Sequence, residues 1–409
     1  MTWLDDYWPS WHSDDSSAAP KVEFNGTKIS DSVYDLRPMA EQVEDWDVEL
    51  VFFHGLLLEQ NKLDEAYFRT WVTNTIEPQC WPATILTKDF PKARVLSVNL
   101  DGAVKKAAPT GRNDMDNVVE ILVAELIRNT RPFGAGIGQT GTPVIFVTHC
   151  LGALVAQKLI MEVDKQITQR GDLKLKSFWD NLGGVVYYSP PFYGSEQFMK
   201  ATNSIKSKGP LVSFMDVLCK DNAKIVQTFD ELLTSERFSP SPRKLVINEC
   251  DETNKGGFNG QVSEEAAART GEFVTVEGDH YTVCQPEDET SLKYQHLASF
   301  AQEIVQQYVA RHRPLALSMG GAPGPSSLIS QPVEAVANAA NETQQIQTKS
   351  KTSLEDQVKS SQTADGQALF KSASKLEIGD KLQNEGAKRS GLAAQGRRLS
   401  DLTFFDRYD

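Results

Sequence analysis

Val144-Ile145-Phe146-Val147-Thr148-His149-Cys150-Leu151-Gly152-Ala153 is an apolar run that stops on a turn and passes at once into Leu154-Val155-Ala156-Gln157-Lys158-Leu159-Ile160, whose spacing is helical. A strand, a small-x-nucleophile-x-Gly turn and a helix in this order make a nucleophile elbow. The turn needs small residues two positions either side of the nucleophile, because that residue sits in a strained backbone conformation where a bulky neighbour collides with strand or helix. Gly152 meets the demand; Thr148 meets it less well. The central residue is Cys150, in a place where such turns normally carry serine. The stretch therefore reads as an acyl-transfer site with a thiol nucleophile, or as one that has given up catalysis.

The flanking chain alternates strands with helices. Upstream, Val48–Phe53 is β-rich and runs into His54-Gly55-Leu56; a helical stretch near Asp64–Thr75 follows, then a strand over Ala93–Leu100 stopped by Asp101-Gly102. Asn117–Ile127 has apolar residues at helical spacing. Downstream, Leu182–Tyr188 is a strand closed by Ser189-Pro190-Pro191, Ser213–Leu233 is helical, Lys244–Asn248 and Phe273–Val276 are extended, and an amphipathic helix spans Lys293–Ala310. Strands alternating with helices over this length imply parallel crossover units and a doubly wound, mostly parallel α/β sheet. One domain is expected over residues 47–313, behind an acidic, Trp-rich extension (1–46) whose tryptophans pack on it. Residues 314–409 are rich in Ser, Gln, Ala, Asn, Gly and Lys. Such a composition buries too little apolar surface to offset ordering entropy, so the tail is expected to be disordered. Its Arg397-Arg398-Leu399-Ser400 is a basic-directed serine context, a pattern common by chance; an unmodified solvated tail is the preferred reading.

Composition narrows the function. The chain has 409 residues, 40% of them hydrophobic, enough for a buried core. No stretch approaches the ~18 unbroken apolar residues of a spanning helix, and the N-terminus has no signal or transit character. The net charge is -13, and since the tail carries 11 residues of each sign, the whole excess lies in residues 1–313, with 31 basic against 44 acidic residues. An acidic domain argues against nucleic acid and against a polybasic membrane anchor. Five widely spaced cysteines (Cys80, Cys150, Cys219, Cys250 and Cys284) without a CxxC pair indicate neither a disulfide framework nor a zinc site. A reducing, intracellular and most simply cytoplasmic setting is expected, with no metal or organic cofactor.

Acyl transfer needs a nucleophile, a base within reach of it, an acid to orient the base, and N–H donors for the oxyanion. With Cys150 as nucleophile, His280 is the candidate base: it follows an extended stretch on a Gly278-Asp279 turn late in the domain, a placement no other of the six histidines shares. Glu249 and Asp251 both end the Lys244–Asn248 strand, and either carboxylate could face His280; Glu249 is preferred. Asp279 adjoins His280, so its side chain is expected to point elsewhere. The oxyanion donors are the backbone N–H groups of Leu151, just past the nucleophile, and Leu56, just past His54-Gly55. Gly136-Ile137-Gly138-Gln139-Thr140-Gly141 matches GxGxxG, but it follows a helix and leads to a strand, the reverse of a dinucleotide fingerprint, and reads as a linker.

His54-Gly55-Leu56, Cys80-Trp81-Pro82 followed by Asp89-Phe90-Pro91-Lys92-Ala93-Arg94-Val95-Leu96, the elbow His149-Cys150-Leu151-Gly152, and Asp279-His280 with Cys284-Gln285-Pro286 resemble the lipase-like SERAC (serine active site-containing) family of α/β-hydrolases over residues 48–310. Three positions depart from that family's pattern. Thr148 stands for the first elbow glycine, Cys150 for serine, and Pro190-Pro191-Phe192-Tyr193-Gly194-Ser195 for a TPHxGS segment, without its histidine. A thiol in an α/β-hydrolase elbow has a chemical precedent in dienelactone hydrolases. The resemblance implies the α/β-hydrolase fold, lipid esters as substrates, and association with mitochondria or endoplasmic reticulum.

Two readings stand. In the first, the chain is an acyl hydrolase or acyltransferase for carboxylic, including lipid, esters or thioesters, working through Cys150, His280 and Glu249; Phe214, Met215, Val217 and Leu218 then cap an apolar acyl pocket, unless they simply pack the core. In the second, it is a non-catalytic scaffold that keeps the fold and holds protein partners through its N-terminus or tail, with at most peripheral membrane contact.

Overall fold

The computed structural model describes residues 22, 24–37, 45–56, 64–100, 115–128, 136–202, 210–251 and 271–312. The expected tail, its Ser400 and most of the N-terminal tryptophans lie outside them. The described residues form one eight-stranded sheet in the order β1-β2-β4-β3-β5-β6-β7-β8. Its strands are β1 Thr27–Lys28, β2 Val33–Asp35, β3 Val48–Phe53, β4 Ala93–Val98, β5 Val144–His149, β6 Leu182–Tyr188, β7 Arg243–Glu249 and β8 Glu272–Val276. From β4 to β8 every pairing is parallel, while β1 and β2 run antiparallel at one edge. This is the strand order of the α/β-hydrolase fold.

The central strands are apolar on both faces because both faces are covered. Along β3, Val51 and Phe53 face one core while Leu50 and Phe52 face the other; along β5, Val144 and Phe146 alternate with Ile145 and Val147 in the same way. The first core is closed by the helices Met115–Leu122, Gly152–Arg170, Leu173–Asn181 and Lys220–Thr234. The second lies under the short helices between residues 66 and 89 and the final helix, Leu292–His312.

Two expectations change. Residues 27–35, assigned to an extension outside the core, form β1 and β2: β2 pairs with β4 through Val33↔Val98 and Asp35↔Leu96. Strands of two and three residues are too short to leave a periodic signal. The helix expected over Ser213–Leu233 is two pieces, a 3₁₀ segment Pro210–Met215 and a helix Lys220–Thr234. In the first turn of that helix Asn222, fully buried, donates to the carbonyls of Pro191 and Phe214 and accepts the Tyr193 N–H. It thereby staples the segment after β6 to the 3₁₀ turn. The GxGxxG stretch precedes β5, as expected, and has a structural partner: the Gly138 N–H donates to Glu49 Oε1 at 2.8 Å, and Glu49 is paired with Arg94 at 2.9 Å.

Candidate active site

The residues expected to carry chemistry lie at the carboxyl ends of β3, β5, β7 and β8, the side on which open parallel sheets bind ligands. Cys150 follows β5 directly with φ +50°, the left-handed region that side chains rarely enter. Its N–H is held by the Tyr188 carbonyl at 3.0 Å. Gly152 explains why the elbow admits nothing larger: a Cβ there would lie 2.4 Å from the Phe53 carbonyl oxygen and 2.7 Å from that of His54. Thr148 is tolerated at the other small position because its hydroxyl, fully buried, donates to the Val186 carbonyl at 3.0 Å.

The His54-Gly55-Leu56 turn abuts Cys150. A Cβ on Gly55 would fall 2.6 Å from Cys150 Cβ and 3.4 Å from its Sγ, so only glycine leaves the thiol its space. His54 fixes the turn: Nδ1–H donates to the Gly55 carbonyl at 2.8 Å and Nε2 accepts the Leu100 N–H at 2.9 Å. Leu56 and Leu151 flank the thiol on the two turns, and among the described residues neither N–H donates to a backbone carbonyl.

His280 and Glu249 meet Cys150 from the other side. His280 Nδ1 lies 3.7 Å from Glu249 Oε1, an ion-pair distance, and the ring interacts electrostatically with Cys150. Burial alone would push the imidazole down, but the charge and hydrogen bond of Cys150, joined by those of Glu249, raise it from 6.5 to about 10. Glu249, itself buried, also receives the Ser189 hydroxyl on Oε2. Ser189 has φ +44° at the tip of β6. Asp251 is turned away: its Oδ2 accepts the Gly278 N–H at 2.8 Å and its Oδ1 the Cys250 thiol. Asp279 caps its own turn, accepting from the N–H groups of Tyr281 and Thr282.

Two anchors of the His280 loop were not legible in the sequence. His149 Nε2–H donates to the His280 carbonyl at 2.8 Å, and the indole N–H of Trp81 donates to the Cys284 carbonyl at 3.1 Å. The second explains why the Cys80-Trp81-Pro82 and Cys284-Gln285-Pro286 elements go together. Phe192, where the resembled family carries histidine, is fully buried against Tyr187. Of the expected cap residues, Met215 is buried and Phe214 partly so, whereas Val217 and Leu218 are exposed at 48% and 83%. Cys80 and Cys284 are buried thiols that burial pushes up, Cys80 to about 12. Among the described residues no group of His, Cys, Asp and Glu is arranged to hold a metal, and no helix is long and apolar enough to cross a membrane.

His54 and His149 bear on acid stability. Burial lowers them from 6.5 to about 4 and about 3. Between those values and 6.5 the unfolded chain binds protons that the fold refuses, so stability is fully present above pH 6.5 and declines as pH falls. The slope reaches roughly 1.4 kcal/mol per pH unit for each ring. The thermal midpoint should fall below pH 6.5, and less steeply in His54→Gln; identical slopes would rule out this origin.

A sheet of this order, with Cys150 on a strained strand-to-helix turn and the His280–Glu249 pair gathered at its carboxyl end, has the α/β-hydrolase fold. The curated relatives that match the chain are SERAC1 proteins, 25% identical over 305 residues in Mus musculus, 25% over 303 in Homo sapiens and 26% over 303 in Danio rerio. Each match takes in 68% of this chain and 42% of the relative, so the chain spans less than half the length of the curated relatives it matches. No family model matches. Solved structures that align with the chain include Bacillus licheniformis lipase BlEst2 (TM-score 0.40, 15% identity, covering 64% of this chain and 95% of that one). An arylesterase aligns with a TM-score of 0.36 and 12% identity, over 75% and 94% of the two chains.

Proposed function

We propose that the chain is an acyl hydrolase or acyltransferase that acts on carboxylic esters or thioesters through Cys150, His280 and Glu249. The observation that carries this reading is the strained elbow: Cys150 is held at φ +50°, and His280 and Glu249 are brought together 3.7 Å apart at the same end of the sheet. Backbone strain persists where the surroundings impose it, and it clusters at sites of chemistry. In the forward step the Cys150 sulfur attacks the acyl carbonyl, and the N–H groups of Leu56 and Leu151 receive the negative oxygen. As the tetrahedral species collapses, His280 gives its proton to the leaving alkoxide or thiolate, and the acyl group stays on sulfur as a thioester. Water, or an acceptor alcohol or thiol, then loses its proton to His280 and attacks that thioester, releasing the acyl product and the sulfur. Glu249 holds the imidazole and balances its charge.

A second reading, a scaffold without catalysis, draws on the 5% exposure of Cys150, the kind of burial an inert structural thiol also shows. A panel of acyl esters and thioesters, with iodoacetamide labelling of Cys150 followed against pH, separates the two. The enzyme should turn over at least one acyl substrate and label at neutral pH, as a thiol paired with histidine does. No turnover, with labelling only in alkali, would leave the scaffold.

A further inference from the structure

His149 is the residue before the nucleophile and lies outside the triad. It is buried, and among the described residues its side chain is tied to the backbone of the loop that carries the base: Nε2–H donates to the His280 carbonyl at 2.8 Å. The two imidazole rings lie 5.0 Å apart, tilted by 42°. On the opposite side the His149 Nδ1 borders the oxyanion turn, 3.2 Å from where a Cβ of Gly55 would be. One side chain therefore touches the loops that supply the base and the oxyanion donors, and it is one peptide unit from the nucleophile.

We propose that His149 is a positioning residue, which sets the distance between the elbow and the His280 loop by tying the His280 carbonyl to the strand that carries Cys150. This rests on the reading of Cys150, His280 and Glu249 as a triad. The His280 ring is attached to the same residue whose carbonyl is tied, so a shift of the loop along the sheet would move the base off the thiol. A hydrogen bond from the adjacent elbow residue opposes that shift where it matters. Charge adds a second reason for the arrangement. The titratable groups that act on His149 are His280, Glu249 and His54, and burial, with His280 beside it, lowers it to about 3, so it stays neutral and keeps a single N–H for the carbonyl. A cationic ring there would repel the His280 imidazolium.

The test uses two variants of the full chain. His149→Phe keeps a ring and removes the donor; His149→Gln keeps an amide N–H at about the reach of Nε2. Loss of the tie should lower kcat about 10²-fold in the Phe variant, the scale of a misplacement near 1 Å. KM should change by less than about threefold, since ground-state binding is untouched. The pH at which iodoacetamide labelling of Cys150 is half-maximal should shift in the Phe variant and return in the Gln variant, together with most of kcat. Equal losses in both variants, or a Phe variant as active as the native chain, would overturn the proposal. If the Phe variant does not fold, His149→Met, flexible and equally without a donor, replaces it under the same criteria. A native chain inert toward substrates and iodoacetamide alike would remove the triad reading and this one with it. A reactive native chain with an indifferent Phe variant would remove the His149 assignment alone.

Discussion

Turnover of the Cys150→Ala variant should fall by roughly 10⁴-fold or more, the scale on which single triad residues are lost elsewhere. Its thermal midpoint should stay within a few degrees of the native chain, because only a sulfur atom leaves and both residues face the same backbone strain at φ +50°. Cys150→Ser is the sharper variant. The His280 proton is held in part by the charge of the residue at position 150, and an alcohol does not supply that charge. The serine form should therefore lose much of its rate, with the His280 imidazole returning toward ordinary values. If the elbow had instead drifted from a serine ancestor, the serine form would gain activity on esters and react with fluorophosphonates that ignore the native chain. Gain of function in the serine variant, with an inert native chain, would refute a working thiol.

Glu249→Gln should cut kcat by about 10²- to 10⁴-fold, as does loss of the orienting carboxylate in other triads. Asp251→Asn should change it by less than about threefold, since that carboxylate serves the Gly278 N–H and not the base. Two effects separate in the Glu249 variant. The imidazolium loses the charge that balances it, so the pH dependence of Cys150 labelling should move as well as the rate. The Ser189 hydroxyl keeps an acceptor in the glutamine oxygen, so the fold should hold. A larger loss from Asp251→Asn, or equal losses, would overturn the assignment of the acid.

The choice between these two carboxylates shows where sequence reading stops. Residues 249 and 251 share a face of an extended chain, so alternation along the strand cannot tell them apart. Depth does: Glu249 is the last ladder residue of β7, paired with Val276 and buried, whereas Asp251 lies past the end, in contact with solvent. Strands β3, β5 and β6 were legible because burial on both faces makes them predominantly apolar. β1 and β2 were not, being too short to carry a pattern. Cys150 and His280 could be singled out from their neighbours in the chain. His149, Ser189 and Trp81 could not, because their partners stand 131, 60 and 203 residues away and nothing local marks the contact.

That separation has a consequence for the order in which the site comes into being. The oxyanion turn and the nucleophile belong to β3 and β5 and can meet as soon as the first half of the sheet has closed. Acid and base arrive on β7 and after β8, and the base loop is moored back to Trp81 across 203 residues. Domains emerge from synthesis N-terminal end first, and contacts this distant close late. With Cys150 as the proposed nucleophile, a nascent chain carries its thiol without the His280 loop until the last strand docks. Under the proposed function, competence of the site would then report completion of the sheet.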